Sequence, residues 1–434
     1  MKNQIIMSLL IAGTTVSFGQ VGIGTDSPDE TAILELQSTE KGFLPSRMTT
    51  VQRDAITGQA EGLMIYNLDV HCLQYWNATE WIGMCGNTSE PSEGFIVELK
   101  CAESIHDGGV HGFLLRGKSY SITDAITVTI PYVGGNGGTY NEVNIASSGI
   151  TGLTAQAEAG NFQNGDGVIV FTITGVPSEA GYANFNVTIG GQSCSFSRVV
   201  GIPDKMFDQY DNDATAGYRH QFIYMPVEGE DGKIWLNNNL GANYANANHA
   251  SFNPLQQASS ADDYHAFGSL FQWGRKPDGH ELTVYTNSSS ATSVNGTTAT
   301  LSDNPDHSLF IVSSGNWRTT NDNTLWSSEA SENNPCPVGF RVPTFAEMLA
   351  YATAAGVTET NSAAESALKL SSSLFRRFYT DGRLIYNDGE INRQHYWSST
   401  VTGTFGRLLR FSPNGIDFYV NPKAGGFEIR CIKN

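Results

Sequence analysis

Six cysteines fall into three sequence-local pairs: Cys72 with Cys85, Cys101 with Cys194, and Cys336 with Cys431. An even count in an exported chain reads as a disulfide framework. Spacing alone does not determine pairing. The simplest connectivity gives one bridge to each of three consecutive modules, with none crossing a boundary. In the chain-entropy model the short loop contributes about 3 kcal/mol and each long loop about 4–5 kcal/mol. A 434-residue chain bridged in this way must fold as modules laid out in sequence order.

The start of the chain supports export. Lys2 supplies a positive n-region, and residues 5–16 form an apolar run broken by Ser8, Gly13, Thr14 and Thr15. Ser17-Phe18-Gly19 then places small residues where a signal peptidase cuts, so residues 1–19 read as a signal peptide cleaved before Gln20. The run is too short and too interrupted to span a bilayer as a helix. No cysteine follows it to carry a lipid anchor, and no membrane insertion is expected. The expected location is extracellular or at the cell surface, with the periplasm as the alternative.

The formal charge of -18 argues against nucleic-acid partners, because phosphate binding needs clustered Lys and Arg. It also disfavours anionic lipid surfaces. Gly is abundant, charge is sparse, and helical periodicity is rare. The fold class expected is multidomain and mainly β, with a C-terminal α+β module.

Residues 20–88 read as a small β-rich module. Residues 32–36 look like a strand. Thr49 and Gln52 make a capping pattern for a short helix over 50–56. Residues 62–67 and 73–77 look like strands around a turn containing Asp69, with Trp81 on a third. Val21-Gly22-Ile23-Gly24-Thr25, Lys41-Gly42-Phe43-Leu44-Pro45-Ser46-Arg47-Met48-Thr49, residues 62–67, and the Tyr75 to Trp81 spacing resemble the head of many secreted Bacteroidota proteins. The segment is also similar to attachment segments of phage tail fibres, which often trimerise. That resemblance implies a homo-oligomer through this module. Tyr75, Trp76 and Trp81 are candidates for a sugar platform, although such aromatics more commonly serve a core or a subunit interface.

Residues 94–201 alternate apolar and polar positions at 95–99, 126–130, 168–173 and 183–189, punctuated by Gly, Asn and Pro. This is the pattern of a β-sandwich. Cys101 and Cys194 are placed to tie its two sheets or its two ends. The segments 132–140, 148–155, 171–175 and 189–194 are similar to an immunoglobulin-like spacer repeat of Bacteroidota surface proteins. The glycines at 134–138 lack the Lys-Ser/Thr ending and following helix of a phosphate loop. His106 and His111 have no evident third metal ligand and read as loop histidines. Residues 202–215, with Asp204, Asp208, Asp211 and Asp213, read as a linker whose acidic spacing is not that of a calcium loop.

Residues 216–434 contain the best helix signal in the chain. Thr344 and Glu347 form a capping box, residues 346–355 are good helix formers, and Gly356 is a stop. Ser362 and Glu365 open a second short helix through Leu370. Residues 286–305 read as an exposed Ser/Thr/Asn-rich loop. Strands are expected at 396–400, 408–412, 416–420 and 427–431. Residues 235–240, 270–275, 336–348, 396–400 and 426–433 resemble, in order, the Fibrobacter succinogenes major paralogous domain family. Met348 stands where that family usually has Trp. The resemblance implies a C-type-lectin-like fold of the group that includes formylglycine-generating enzymes. It places Cys336 and Cys431 at the family's structural positions, so no copper-dependent oxidase chemistry is expected. The Glu-Pro-Asn and Gln-Pro-Asp triplets of calcium-dependent lectins do not occur in this module. Neither a metalloprotease helix nor a serine-nucleophile elbow is found. No catalytic residue, metal or cofactor is assigned.

The reading is a secreted or cell-surface, adhesin-like binding protein whose partner is a glycan or a surface protein. The alternatives are an enzyme on a lectin-like scaffold and a structural subunit of a surface fibre. The candidate ligand face lies on a hairpin over 407–420 turning at Ser412-Pro413-Asn414-Gly415. A four-residue turn puts Pro413 at its favoured position. Strand alternation then places Phe411, Ile416, Leu409 and Phe418 inward, and Arg410, Asp417, Leu408 and Tyr419 outward. Arg410, Asp417, Tyr419 and nearby Asn421 are the candidate ligand residues. Arg410 opposite Asp417 reads more commonly as a structural cross-strand pair, worth about 0.2–1 kcal/mol.

Overall fold

The computed structural model describes residues 19–85, 93–208, 220–371, 374–379, 381–385 and 393–434. It is mainly β, with 39% strand and 8% helix. The chain divides into two compact units that part between Ser92 and Glu93. The three bridges are Cys72–Cys85, Cys101–Cys194 and Cys336–Cys431. No helix among the described residues is long and apolar enough to cross a membrane.

In the first unit, Val21–Ile23 pairs in parallel with Leu34–Leu36. A separate sheet orders Arg47–Met48, Met64–Asn67, Cys72–Trp76 and Trp81–Gly83. The helix Thr50–Asp54 starts where the sequence predicts, because Thr49 and Gln52 satisfy each other's backbone N–H groups. Ile65 and Cys72 are the only hydrophobic side chains buried among the described residues here. The rest of the interior is polar. Arg53 donates to Gln74 at 2.8 Å, and Asn67 donates to the same Oε1 at 3.1 Å.

The second unit begins with a two-sheet sandwich. One sheet is centred on Thr127–Asn136 and Asn164–Gly175, and the other on the hairpin of Gly181–Ile189 with Gln192–Pro203. Ala183, Phe185, Val187 and Ile189 alternate inward and meet Val128, Ile130, Ile169 and Phe171 from the facing sheet. That period of two is what residues 183–189 display in sequence. The hairpin turns through Gly190 and Gly191, both at positive φ, where a β-carbon would be strained. Cys101, beside the first sheet, bridges to Cys194 on the second. The predicted strand over 95–99 shortens to Glu98–Leu99. Its start departs from the ladder because the Phe95 N–H donates to the Asn136 side chain at 3.0 Å.

The sandwich continues into the C-terminal region without a break in pairing. Ile202 and Pro203 pair with Tyr224 and Ile223. Asp204, part of the expected linker, is buried; residues 209–219, including Asp211 and Asp213, lie outside the described residues. Phe113 and His111 also pack on Phe252, at 5.7 and 5.3 Å between ring centroids. The C-terminal region itself holds two four-stranded sheets and a three-stranded sheet around Trp235, Trp273, Trp326 and Trp397.

The helix Phe345–Ala354 has the predicted Thr344–Glu347 box, and Gly356 stands at φ +62°. The second helix runs Thr360–Glu365, earlier than expected, because the Glu359 side chain caps it. The polar stretch 286–305 is not a plain loop: Thr283–Asn287 and Ser290–Ser293 form a hairpin, and Thr297–Thr298 pairs with Phe310–Ile311. The expected strand over 427–431 splits into Gly426–Phe427 and Ile432–Lys433. Between them Glu428 and Arg430 turn their side chains into the core. Glu428 accepts from the Gly268 N–H at 2.7 Å and from Asn239 at 2.8 Å. Arg430 donates to the carbonyls of Leu236, Asn237 and Leu368.

Candidate functional site

The C-terminal three-stranded sheet orders Gln394–Thr402, Phe405–Ser412 and Gly415–Pro422. Its hairpin has the predicted register: Ser412 faces Gly415, Phe411 faces Ile416, Arg410 faces Asp417, and Leu408 faces Tyr419. The alternation differs at two positions. Leu408 is fully buried, and Phe418 is 58% exposed. The strand Phe405–Ser412 is covered on both faces, so period-two polarity fails there. Leu408 joins the core of Trp273 and Trp397, while Leu409 and Phe411 join that of Met348 and Tyr351. Gly415–Pro422 is an edge strand on which Phe418, Tyr419 and Val420 are exposed, while Ile416 packs against the Met348 and Tyr351 core and Phe418 lies edge-on to Phe345 at 5.5 Å.

Arg410, Asp417 and Tyr419 come together on this edge. Arg410 Nε donates to Asp417 at 3.1 Å, and a second, shorter bond joins Nη2 to the same oxygen. The guanidinium also lies 5.0 Å from the Tyr419 ring centroid. A charge held by a carboxylate and a ring is fixed before any ligand arrives, which lowers the ordering cost of binding. The Asp417 side chain and the Tyr419 residue are each 46% exposed. Asn421 follows on the same face, opposite Gly406, with its Oδ1 buried and without a hydrogen-bond partner among the described residues. A β-carbon at Gly406 would come within 2.7 Å of Trp273 and Trp397, so the face runs down onto that pair. His395 lies beside Arg410 across the neighbouring strand pair. Burial, reinforced by Arg410 and Arg393, pushes its pKa down to about 3. The imidazole itself is buried against Phe375 and Phe427.

A second cluster is internal. His220 stands between Asp204 at 3.4 Å and Glu281 at 3.2 Å. Glu281 also meets His280 at 3.1 Å, and His280 Nδ1 meets Asp278 at 2.7 Å. Arg275 Nε completes the chain, donating to Asp278 at 2.8 Å. Burial alone would lower the His220 pKa, but its two carboxylate partners outweigh it and raise it to about 10. Burial likewise would raise Glu281, and the two histidines together bring it well below the usual carboxylate range. Asp278, His280 and Glu281 have the proximity of a metal-ligand set. Their donor atoms are occupied, however: His280 Nε2 accepts the Gln272 N–H at 3.1 Å, and each carboxylate already faces a cation or ring N–H. The cluster is an ion chain joining the end of the sandwich to the C-terminal core. The sequence offered only Arg275 inside an aromatic-rich motif as a hint of it.

Cys336 and Cys431 are bridged and buried. His106 bonds Ser104 at 2.9 Å, and His111 packs at a tilt against Phe252, so the two serve separate contacts. In the first unit Trp76 and Trp81 form a tilted pair at 5.7 Å, with Arg53 over Trp81. The same unit exposes Ile33 at 76%, Phe43 at 69%, Leu44 at 71% and Val51 at 78%.

Residues 22–95 match the family model described as a phage tail like trimerisation region. No curated protein and no solved structure matches the chain.

Proposed function

We propose that this chain is a non-catalytic, secreted or cell-surface binding protein assembled as a fibre-like homotrimer. In this reading residues 20–88 hold three copies together and residues 94–201 form an immunoglobulin-like spacer. Residues 216–434 then form a C-type-lectin-like domain of the Fibrobacter major paralogous type, which contacts a glycan or a surface protein.

One observation carries the assembly: the first unit buries almost no apolar side chain of its own, yet exposes Ile33, Phe43, Leu44 and Val51. Covering one such side chain contributes about 1.5–3 kcal/mol, so neighbouring copies supply the core that a single copy lacks. The match to a trimerisation region over 22–95 supports three as the number. The bridges support an oxidising compartment.

For the ligand face, the support is the fixed Arg410–Asp417–Tyr419 group, with a half-exposed ring beside hydrogen-bonding groups. Aromatic rings with flanking polar groups suit both sugars and protein surfaces. Sedimentation equilibrium of the mature chain should give the trimer mass or a multiple of it, and a monomer at every concentration tested would refute the assembly. On a glycan and host-protein array, Tyr419→Ala should lose the signal given by the parent chain. An unchanged array pattern would remove this face from the reading.

A further inference from the structure

We propose that the edge strand Gly415–Pro422 pairs antiparallel with the same strand of a second copy, centred on Phe418.

The backbone sets the register. Ser412 and Gly415 flank a two-residue turn, so the hydrogen-bonded pairs of this hairpin fall at Ser412/Gly415, Arg410/Asp417, Leu408/Tyr419 and Gly406/Asn421. The next hairpin gives the same parity, since Thr402/Phe405 also flank a two-residue turn. Ile416, Phe418 and Val420 therefore direct N–H and C=O away from the sheet. Among the described residues no backbone hydrogen bond reaches those groups. Pro422 ends the strand on the same outward parity, where its missing N–H costs no internal bond.

The side chains fit that register. Placing Phe418 opposite Phe418 of the second copy sets Ile416 against Val420, and Asp417 against Tyr419. The apolar row meets itself, and each carboxylate faces a phenol hydroxyl that can donate to it. No like charges are opposed, which is the usual barrier to self-pairing. Phe418 at 58% and Val420 at 44% are exposed for this contact. A shift by one residue would lose the outward hydrogen-bonding parity. The occupant is thus a second copy of this chain, chosen by its own complementarity.

A two-fold contact cannot close inside a three-fold ring. The pairing would link separate trimers, setting the Asp417–Tyr419 faces of two copies side by side on one continuous sheet. It rests on the hairpin alone and survives if the trimer reading fails.

The test uses the mature full-length chain under mild oxidation. Residue 418 of one copy lies about 5.5 Å from residue 418 of the other, within reach of a disulfide. Residue 420 lies about 13 Å from its own counterpart. Phe418→Cys should form an intermolecular cross-link, and Val420→Cys, equally surface-placed, should not. By sedimentation velocity, Phe418→Lys should abolish species larger than the unit that the first module assembles. Equal cross-linking of both variants, cross-linking of neither, capture of a different protein's strand, or larger species persisting in Phe418→Lys would each overturn the proposal.

Discussion

Residues 19–85 and residues 93–434 carry comparable β structure but hold it in opposite ways. The second unit encloses Trp235, Trp273, Trp317, Trp326 and Trp397 almost completely. It then buries charged side chains among them and satisfies these with carbonyls and counter-ions, as at Arg376 and Arg430. The first unit buries Ile65 and Cys72, a polar lock of Arg53, Gln74 and Asn67, and one disulfide. Similar strand content therefore goes with a dense core in one unit and a sparse one in the other, and burial separates the two cases where strand content does not.

The largest expected effect lies in the self-sufficient unit. Glu281→Ala leaves His220 and His280 without their shared carboxylate in a fully buried site. Removing one partner of a buried ion pair costs about 3–5 kcal/mol. The loss should appear in urea unfolding as a midpoint shift independent of protein concentration. A shift below about 1 kcal/mol, or one that varies with concentration, would break the comparison.

Cys336→Ala should cost the same unit about 2–5 kcal/mol. In the first unit Phe43→Asp and Leu44→Asp should instead weaken association, leaving unfolding of residues 93–434 unchanged. Sedimentation and unfolding measured on one sample separate the two effects.

The pH dependence of the second unit has two opposed limbs. His220 has a folded pKa raised to about 10, so its contribution is full below the ordinary value of 6.5 and is lost as pH rises toward 10. His395 has a folded pKa lowered to about 3, so the unfolded chain takes up its proton first. Stability then falls as pH drops from 6.5 toward 3. Each limb has a limiting slope of about 1.4 kcal/mol per pH unit. In thermal melts, His395→Phe should flatten the acid limb and His220→Gln the alkaline one. If each substitution altered the other limb, these assignments would be wrong.

The smallest effect is on stability at the ligand face. Tyr419→Ala removes a half-exposed ring and should change unfolding by no more than about 0.5 kcal/mol. A larger loss would make Tyr419 part of the scaffold.

Much of the architecture was legible because its signals are local. Caps at Thr49 and Thr344 fix helix starts with side chains three residues apart. Alternation at 183–189 reports a sheet with one buried face. The hairpin register at 405–422 follows from one Pro-Asn turn. What stayed hidden depends on distant partners. Leu408 reads as outward until a second layer covers its strand. Asp204 reads as linker until His220 meets it. The second helix reads as opening at Ser362 until Glu359 caps it at Thr360. Within the candidate site, the Arg410–Asp417 pairing was readable from the turn, whereas the Arg410–Tyr419 contact depends on the guanidinium's position over the ring.

The central claim is that the first unit borrows its core from other copies. Hydrogen exchange on the mature chain across a dilution series tests it most directly. Amide protection in Met64–Asn67 and Cys72–Trp76 should fall on dilution, while protection in Thr127–Asn136 and Gly181–Ile189 stays constant. Protection of the first unit that is unchanged by dilution down to a proven monomer would contradict the account.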